Sequence, residues 1–513
     1  MNKHISKISI IASLVAGMGL TSCSKKFDDI NTNPDKPSTA SSGWLATSIL
    51  TSVTSKDIST GTGFRQPFTL GKYIAWSELA SDNQYNKLTR ANFDRLLVLR
   101  NVSPMVDNAS TPELKNSYDG FGHFVRAWQF FQVTMQLGDV PYSQAIQGGS
   151  GVIKAKYDTQ KEVFTGILSE LDQADALLSK GVDFPGDFIF QGSVDKWRRV
   201  VNTFELHVLM SLSKKATDTD LKVAQKFNEV MQRPLMRDYS DNFAVTYTAS
   251  AGYCYPWSST PAQINPFVIY PMLSTTLIDL MKPAQDRRLF YFAEPAAAKI
   301  AGGKLPSAYD AYVGVEPADE FSATINALNS GNYCNVNKRY VEMYNAEPVG
   351  LLNYWDLQFI LAEATVRGWI TGTAAQTYYA NGIKSSMSFL AKYAPATYAH
   401  GMVMDDTYIT GYPATVALTG SAENQIKQII SQKYIAGFFQ NSDFNAWYEN
   451  RRTGYPVFTL NSHTNLNIPS TSFPLRWMYP QKELDYNSEN VNAAIQSQFG
   501  GNDDFSQVMW LLK

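Results

Sequence analysis

Cysteine and histidine are nearly missing from this chain, with three of the first and five of the second among 513 residues. So few cysteines rule out a disulfide framework of the kind that staples small secreted domains. One bridge, Cys254 to Cys334, stays open. The histidines, His4, His123, His207, His400 and His463, form no His-Glu-x-x-His pair, which removes zincin chemistry. There is no Gly-x-Ser-x-Gly elbow and no phosphate loop ending in Gly-Lys-Ser/Thr; Gly148-Gly149-Ser150-Gly151 lacks the lysine and reads as a turn. The acidic pairs Asp28-Asp29, Asp405-Asp406 and Asp503-Asp504 lack EF-hand spacing, so no metal and no cofactor is expected. Excess charge is missing as well. With 44 basic and 46 acidic residues and a net charge of -2, the chain has no footprint for a polyanion, and nucleic acid is not an expected partner. Nor does any apolar run reach the roughly 20 residues that a transmembrane helix needs.

What is present begins at the N-terminus. Lys3 and Lys7 precede an apolar run from Ile8 to Leu20, the pattern of an export signal. Leu20-Thr21-Ser22-Cys23 resembles the bacterial lipobox, in which the cysteine thiol is acylated and becomes the first residue of a mature lipoprotein. Residues 1–22 are therefore expected to be removed, Cys23 to carry the lipid, and residues 23–38, polar and holding Asn31-Thr32-Asn33-Pro34-Asp35, to form a tether. Lipid chains would hold the protein on a membrane, since burial is worth about 0.8 kcal/mol per methylene. Lys25-Lys26-Phe27-Asp28-Asp29 reads as a solvated charge run.

Residues 39–513 form the expected globular domain. Tyr118, Phe121, Val125, Trp128, Phe131 and Met135 recur every three or four positions, the spacing of one buried helical face. Similar stripes predict helices paired as 113–137 with 158–180, 195–215 with 219–232, 353–369 with 373–393, and 423–440 with 443–451. Asp195 is the expected cap of the third helix. Helix pairs that cannot bury their faces alone must stack, as tetratricopeptide-type repeats do. Between them lie long segments, 233–275, 292–350, 394–422 and 455–485, rich in Tyr, Trp, Asn, Gly and Pro. Loops of that length in a compact protein are usually functional or disordered, and the aromatic content opposes disorder.

Seven strings spread over the chain then carry a family resemblance. They are Cys23 with Asn31-Thr32-Asn33-Pro34; Leu137-Gly138-Asp139-Val140-Pro141-Tyr142-Ser143-Gln144-Ala145; Asp195-Lys196-Trp197; Asp286-Arg287-Arg288-Leu289; Leu357-Gln358-Phe359-Ile360-Leu361-Ala362-Glu363-Ala364; Trp447-Tyr448-Glu449-Asn450-Arg451-Arg452-Thr453-Gly454-Tyr455-Pro456; and Arg476-Trp477-Met478-Tyr479-Pro480-Gln481-Lys482-Glu483 with Asn487. In this order they resemble the SusD/RagB family of nutrient-binding outer-membrane lipoproteins. The resemblance implies a mostly α fold, about four tetratricopeptide-like helix pairs supporting a long-loop, ligand-binding face. It also implies a protein that is not an enzyme, that captures oligosaccharide or peptide outside the cell, and that works with a SusC-like TonB-dependent transporter. A surface glycoside hydrolase on the same scaffold remains the enzyme alternative, because its two carboxylates leave no fixed spacing in sequence.

No binding residue follows from those strings, so candidates come from residue chemistry. Sugar rings stack on Tyr and Trp while Asn, Asp or Arg takes the hydroxyls. Two loop groups fit: Trp76, Asn83 and Tyr85, and Tyr253, Tyr255 and Trp257. Arg451 and Arg452 could clamp a carboxylate, but a cation at the end of the 443–451 helix more simply caps it.

Overall fold

The structure, a computed structural model, describes residues 40–55, 62–250, 252–259, 265–440 and 444–513. The leader, Cys23 and the tether through residue 38 lie outside the described residues.

Eight helices form the four expected pairs. They are α1 (Pro112–Leu137) with α2 (Gln160–Leu178), α3 (Val194–Ser211) with α4 (Val223–Val230), α5 (Tyr354–Val366) with α6 (Ala375–Tyr393), and α7 (Ala422–Ala436) with α8 (Asn445–Thr453). Helix α2 also packs on α3, α3 on α5, and α5 on α7, so the pairs stack into one support. The six-residue apolar stripe of α1 is buried throughout, each large side chain contributing about 1.5–3 kcal/mol. Close approach of α1 and α2 depends on Gly120, where a Cβ would lie 2.8 Å from Leu178 and 3.1 Å from the Ala174 carbonyl oxygen.

The helix starts follow local chemistry. Thr159 and Glu162 form a reciprocal capping box on α2. The cap of α3 is Ser193, which accepts from the Lys196 amide, and not Asp195, which sits in the first turn where its charge meets the helix dipole. Further helices that periodicity did not show run over Ser42–Thr54, Thr62–Leu70 and Ser488–Phe499.

The long segments carry short strands that pin them down. β1 (Ile74–Trp76) pairs antiparallel with β3 (Pro271–Leu273), and β2 (Phe243–Val245) pairs antiparallel with β4 (Val349–Leu352). Two large apolar clusters result, one among α1 to α4 and one beneath the loops.

At the seam between the helix pairs lies a buried ion network. Arg452 on α8 donates to both oxygens of Glu363 on α5, at 2.6 and 2.7 Å, and also to Glu449. Lys433 of α7 sits 2.9 Å from Glu449. Arg451 donates to the Met135 carbonyl at 2.9 Å, the open end of α1, with Trp447 and Tyr448 against its guanidinium. Both arginines sit in the last turn of α8, which Gly454 ends in left-handed backbone, and both are buried in bonds to other parts of the chain and not open as a ligand clamp. Cys254 and Cys334 are both free thiols, and burial pushes Cys334 up to about 12.

Candidate functional site

Three of the six aromatic-loop candidates point inward. Trp76 is 4% exposed, Tyr255 1% and Trp257 3%. The cause is backbone pairing: Trp76 lies opposite Pro271 in the β1–β3 ladder, and the Tyr255 amide donates to the Tyr344 carbonyl at 2.7 Å. Their rings fill the second apolar cluster, with Trp257 edge-on to Phe439 at 5.0 Å and Trp76 against Phe267 at 5.5 Å. They anchor the loops and offer no open face for stacking. The Trp76 indole N–H donates to Glu78 Oε2 at 2.9 Å, which also receives the Asn83 amide at 2.8 Å. Trp76→Phe keeps an aromatic ring in place but loses the bond to a charged acceptor and part of the indole's packing. Urea unfolding is expected to show a loss of about 1.5–3 kcal/mol.

Tyr253 is 71% exposed but lies outside the cleft that Tyr85 lines, and Asn83 braces its own turn. Tyr85 does line the cleft, where its hydroxyl donates to the Asp319 carbonyl at 3.2 Å. That cleft is narrow, with a cavity volume of about 50 Å³. Its walls come from distant parts of the chain: Lys72 after the Thr62–Leu70 helix, Tyr85 and Asn86, Pro317 and Ala318, Trp447 and Asn450 of α8, and the segment from Phe458 to Pro474.

An asparagine-rich string in that last segment builds the wall. Asn461 accepts from the His463 amide at 3.0 Å and donates to Ala318 O at 3.0 Å, while Thr464 donates to the same carbonyl at 2.8 Å. Asn467 accepts the Leu88 amide at 2.8 Å. Short polar side chains that bond nearby backbone hold an irregular segment in one shape. The sequence reading missed these residues and Lys72 and Asn86. The signal was the run Asn461, Asn465, Asn467 in a stretch without periodicity. Lys72 and Asn86 both hold positive φ, 53° and 52°, a conformation costing non-glycine residues on the order of 1–2 kcal/mol.

A second, open concavity of about 770 Å³ lies on the helical support. Its charged groups are engaged with one another: His123 and Arg126 both pair with Glu170, which also receives the Tyr142 hydroxyl at 3.0 Å. Burial opposes a protonated His123, but the bond and charge of Glu170 outweigh it and raise its pKa. Among the described residues no group of three or more His, Cys, Asp or Glu could hold a metal ion.

The cleft lining is aromatic and amide-rich, and among the described residues it contains no Asp or Glu. It can stack and hydrogen-bond a polar ligand, and among the described residues its lining lacks the carboxylate pair of a glycoside hydrolase.

A family model described as starch-binding and associating with the outer membrane matches residues 34–480. Among solved structures, a SusD homologue from Bacteroides fragilis NCTC 9343 is 40% identical with a TM-score of 0.88, covering 92% of this chain and 100% of that one. A second from the same strain is 34% identical with a TM-score of 0.80, over 92% and 99% of the two chains. A protein from Bacteroides vulgatus ATCC 8482, described as an outer membrane protein with a role in nutrient binding, is 32% identical with a TM-score of 0.81, over 92% and 100%. No protein of curated function matches. From the stacked helix pairs, the loop-walled cleft and these matches, the chain belongs to the SusD-like family of outer-membrane nutrient-binding proteins.

Proposed function

We propose that this protein is a lipid-anchored outer-membrane protein facing the cell exterior, which captures an oligosaccharide in the Tyr85 cleft and delivers it to a SusC-like TonB-dependent transporter. One observation carries the reading: a cleft walled by loop segments, lined by the half-buried Tyr85 and by asparagines, and without a lining carboxylate among the described residues. The Tyr85 ring suits the C–H face of a sugar, on a wall that the asparagines hold in shape. Capture must be reversible for delivery, so several modest contacts serve better than one tight one.

Calorimetric titration of the purified protein with oligosaccharide and oligopeptide libraries tests this. An oligosaccharide is expected to bind, and Tyr85→Ala to weaken it roughly tenfold, the size of a lost aromatic contact of about 1.4 kcal/mol. Preference for peptides would move the protein to the peptide-binding branch implied by its sequence. Release of reducing ends would make it a glycosidase. Co-purification with a large β-barrel from native membranes tests the transporter partner.

A further inference from the structure

The geometry points to a saccharide that carries a carboxylate, with Lys72 as the group that meets the charge. This rests on the Tyr85 cleft being the capture site. Most polar groups of the lining are already engaged. Asn450 donates to Pro456 O, Asn461 and Thr464 to Ala318 O, Asn465 to the carbonyls of Ser470 and Ser472, Asn467 to Asn86 O, and Thr459 to Glu316. These side chains are occupied in holding the wall together.

Lys72 and Asn86 stand apart. Lys72 lines the cleft half-buried, and among the described residues its ammonium has no ion-pair or hydrogen-bond partner. Burial pulls its pKa below the ordinary lysine value, with the Glu316 charge opposing, as expected for an ammonium short of close counter-charge. Glu316 is committed elsewhere: its oxygens accept from Thr275 at 3.0 Å, Thr459 at 3.1 Å and the Ala318 amide at 3.0 Å. Asn86 is 5% exposed, and its Oδ1 has no donor among the described residues.

A lining that holds both an ammonium without a partner and an amide acceptor without a donor, among the described residues, matches a ligand that offers a carboxylate and a hydroxyl. A uronic acid unit offers both on one ring. A neutral hexose would supply the hydroxyl and leave the partly desolvated ammonium unpaired. Binding would involve no covalent step.

Calorimetry of the purified protein with oligogalacturonides, oligoglucuronides and alginate oligosaccharides, each beside its methyl ester, reads the charge directly. At least one acid is expected to bind tenfold or more tightly than its ester, with the gap narrowing as salt rises. Lys72→Met is expected to bring the ratio close to one, and Lys72→Arg to keep it, with thermal melts confirming that both variants fold. If acids bind no better than esters while neutral oligosaccharides bind, charge selection is overturned and capture in the cleft stands. A ratio unchanged in Lys72→Met overturns the role of Lys72. Failure of every saccharide to bind, or preference for a peptide carboxylate, overturns this inference and the reading beneath it.

Discussion

Arg452→Met is expected to cost about 3–5 kcal/mol, the range for removing one partner of a buried ion pair. Arg452 is 8% exposed, Glu363 1% and Glu449 9%, so the variant leaves two carboxylates short of charge, with Lys433 and Arg367 as their remaining cations. The penalty is desolvation and not lost attraction. Replacing Arg452, Glu363 and Glu449 together with apolar residues of similar shape is therefore expected to recover much of the loss. Urea unfolding of the single and triple variants checks this, and a single variant within 1 kcal/mol of the parent would show that water reaches the seam. Helix α8 has nine residues, too few to persist alone. It supplies Trp447 and Asn450 to the cleft, so ligand affinity should fall with stability.

The same network sets an acid limit. Burial alone would push Glu363 and Glu449 up, but the charge and hydrogen bonds of Arg452 outweigh it and hold both below the usual carboxylate range. A depressed folded pKa gives stability that is fully present above the unfolded value of about 4.3 and is lost as pH falls through the folded values. Stability should decline from about pH 5 downward, and the decline should be shallower in Arg452→Met.

Cys23→Ala is expected to move the protein from the membrane pellet to the soluble fraction. One acyl chain binds a bilayer only marginally, with an association constant on the order of 10⁴ M⁻¹, and two or more make the attachment stable. Under the proposed anchoring, removing the Cys23 thiol leaves no sulfur at that position to acylate. Among the described residues no helix is long and apolar enough to cross a membrane and take over. Fractionation of native cells with mass spectrometry of the N-terminal peptide reads the result. A wild-type protein in the pellet with an unmodified Cys23 thiol would refute lipid anchoring, as would a Cys23→Ala protein that stays there.

The helical support was readable because its information is local. Tyr118 to Met135 repeat on one face, and Thr159 with Glu162 marks a start within four residues. Facing was another matter. Trp76 and Tyr85 are similar in composition and context, yet Trp76 is buried by a strand nearly two hundred residues away while Tyr85 opens onto a cleft. Asn467 reaches the Leu88 amide, and Arg452 reaches Glu363, across separations of 379 and 89 residues. Periodic burial is written into neighbouring residues because a helix turns every 3.6 of them. Which aromatic ring meets solvent, and which cation is left unpaired, is settled by contacts between segments that only the completed packing brings together.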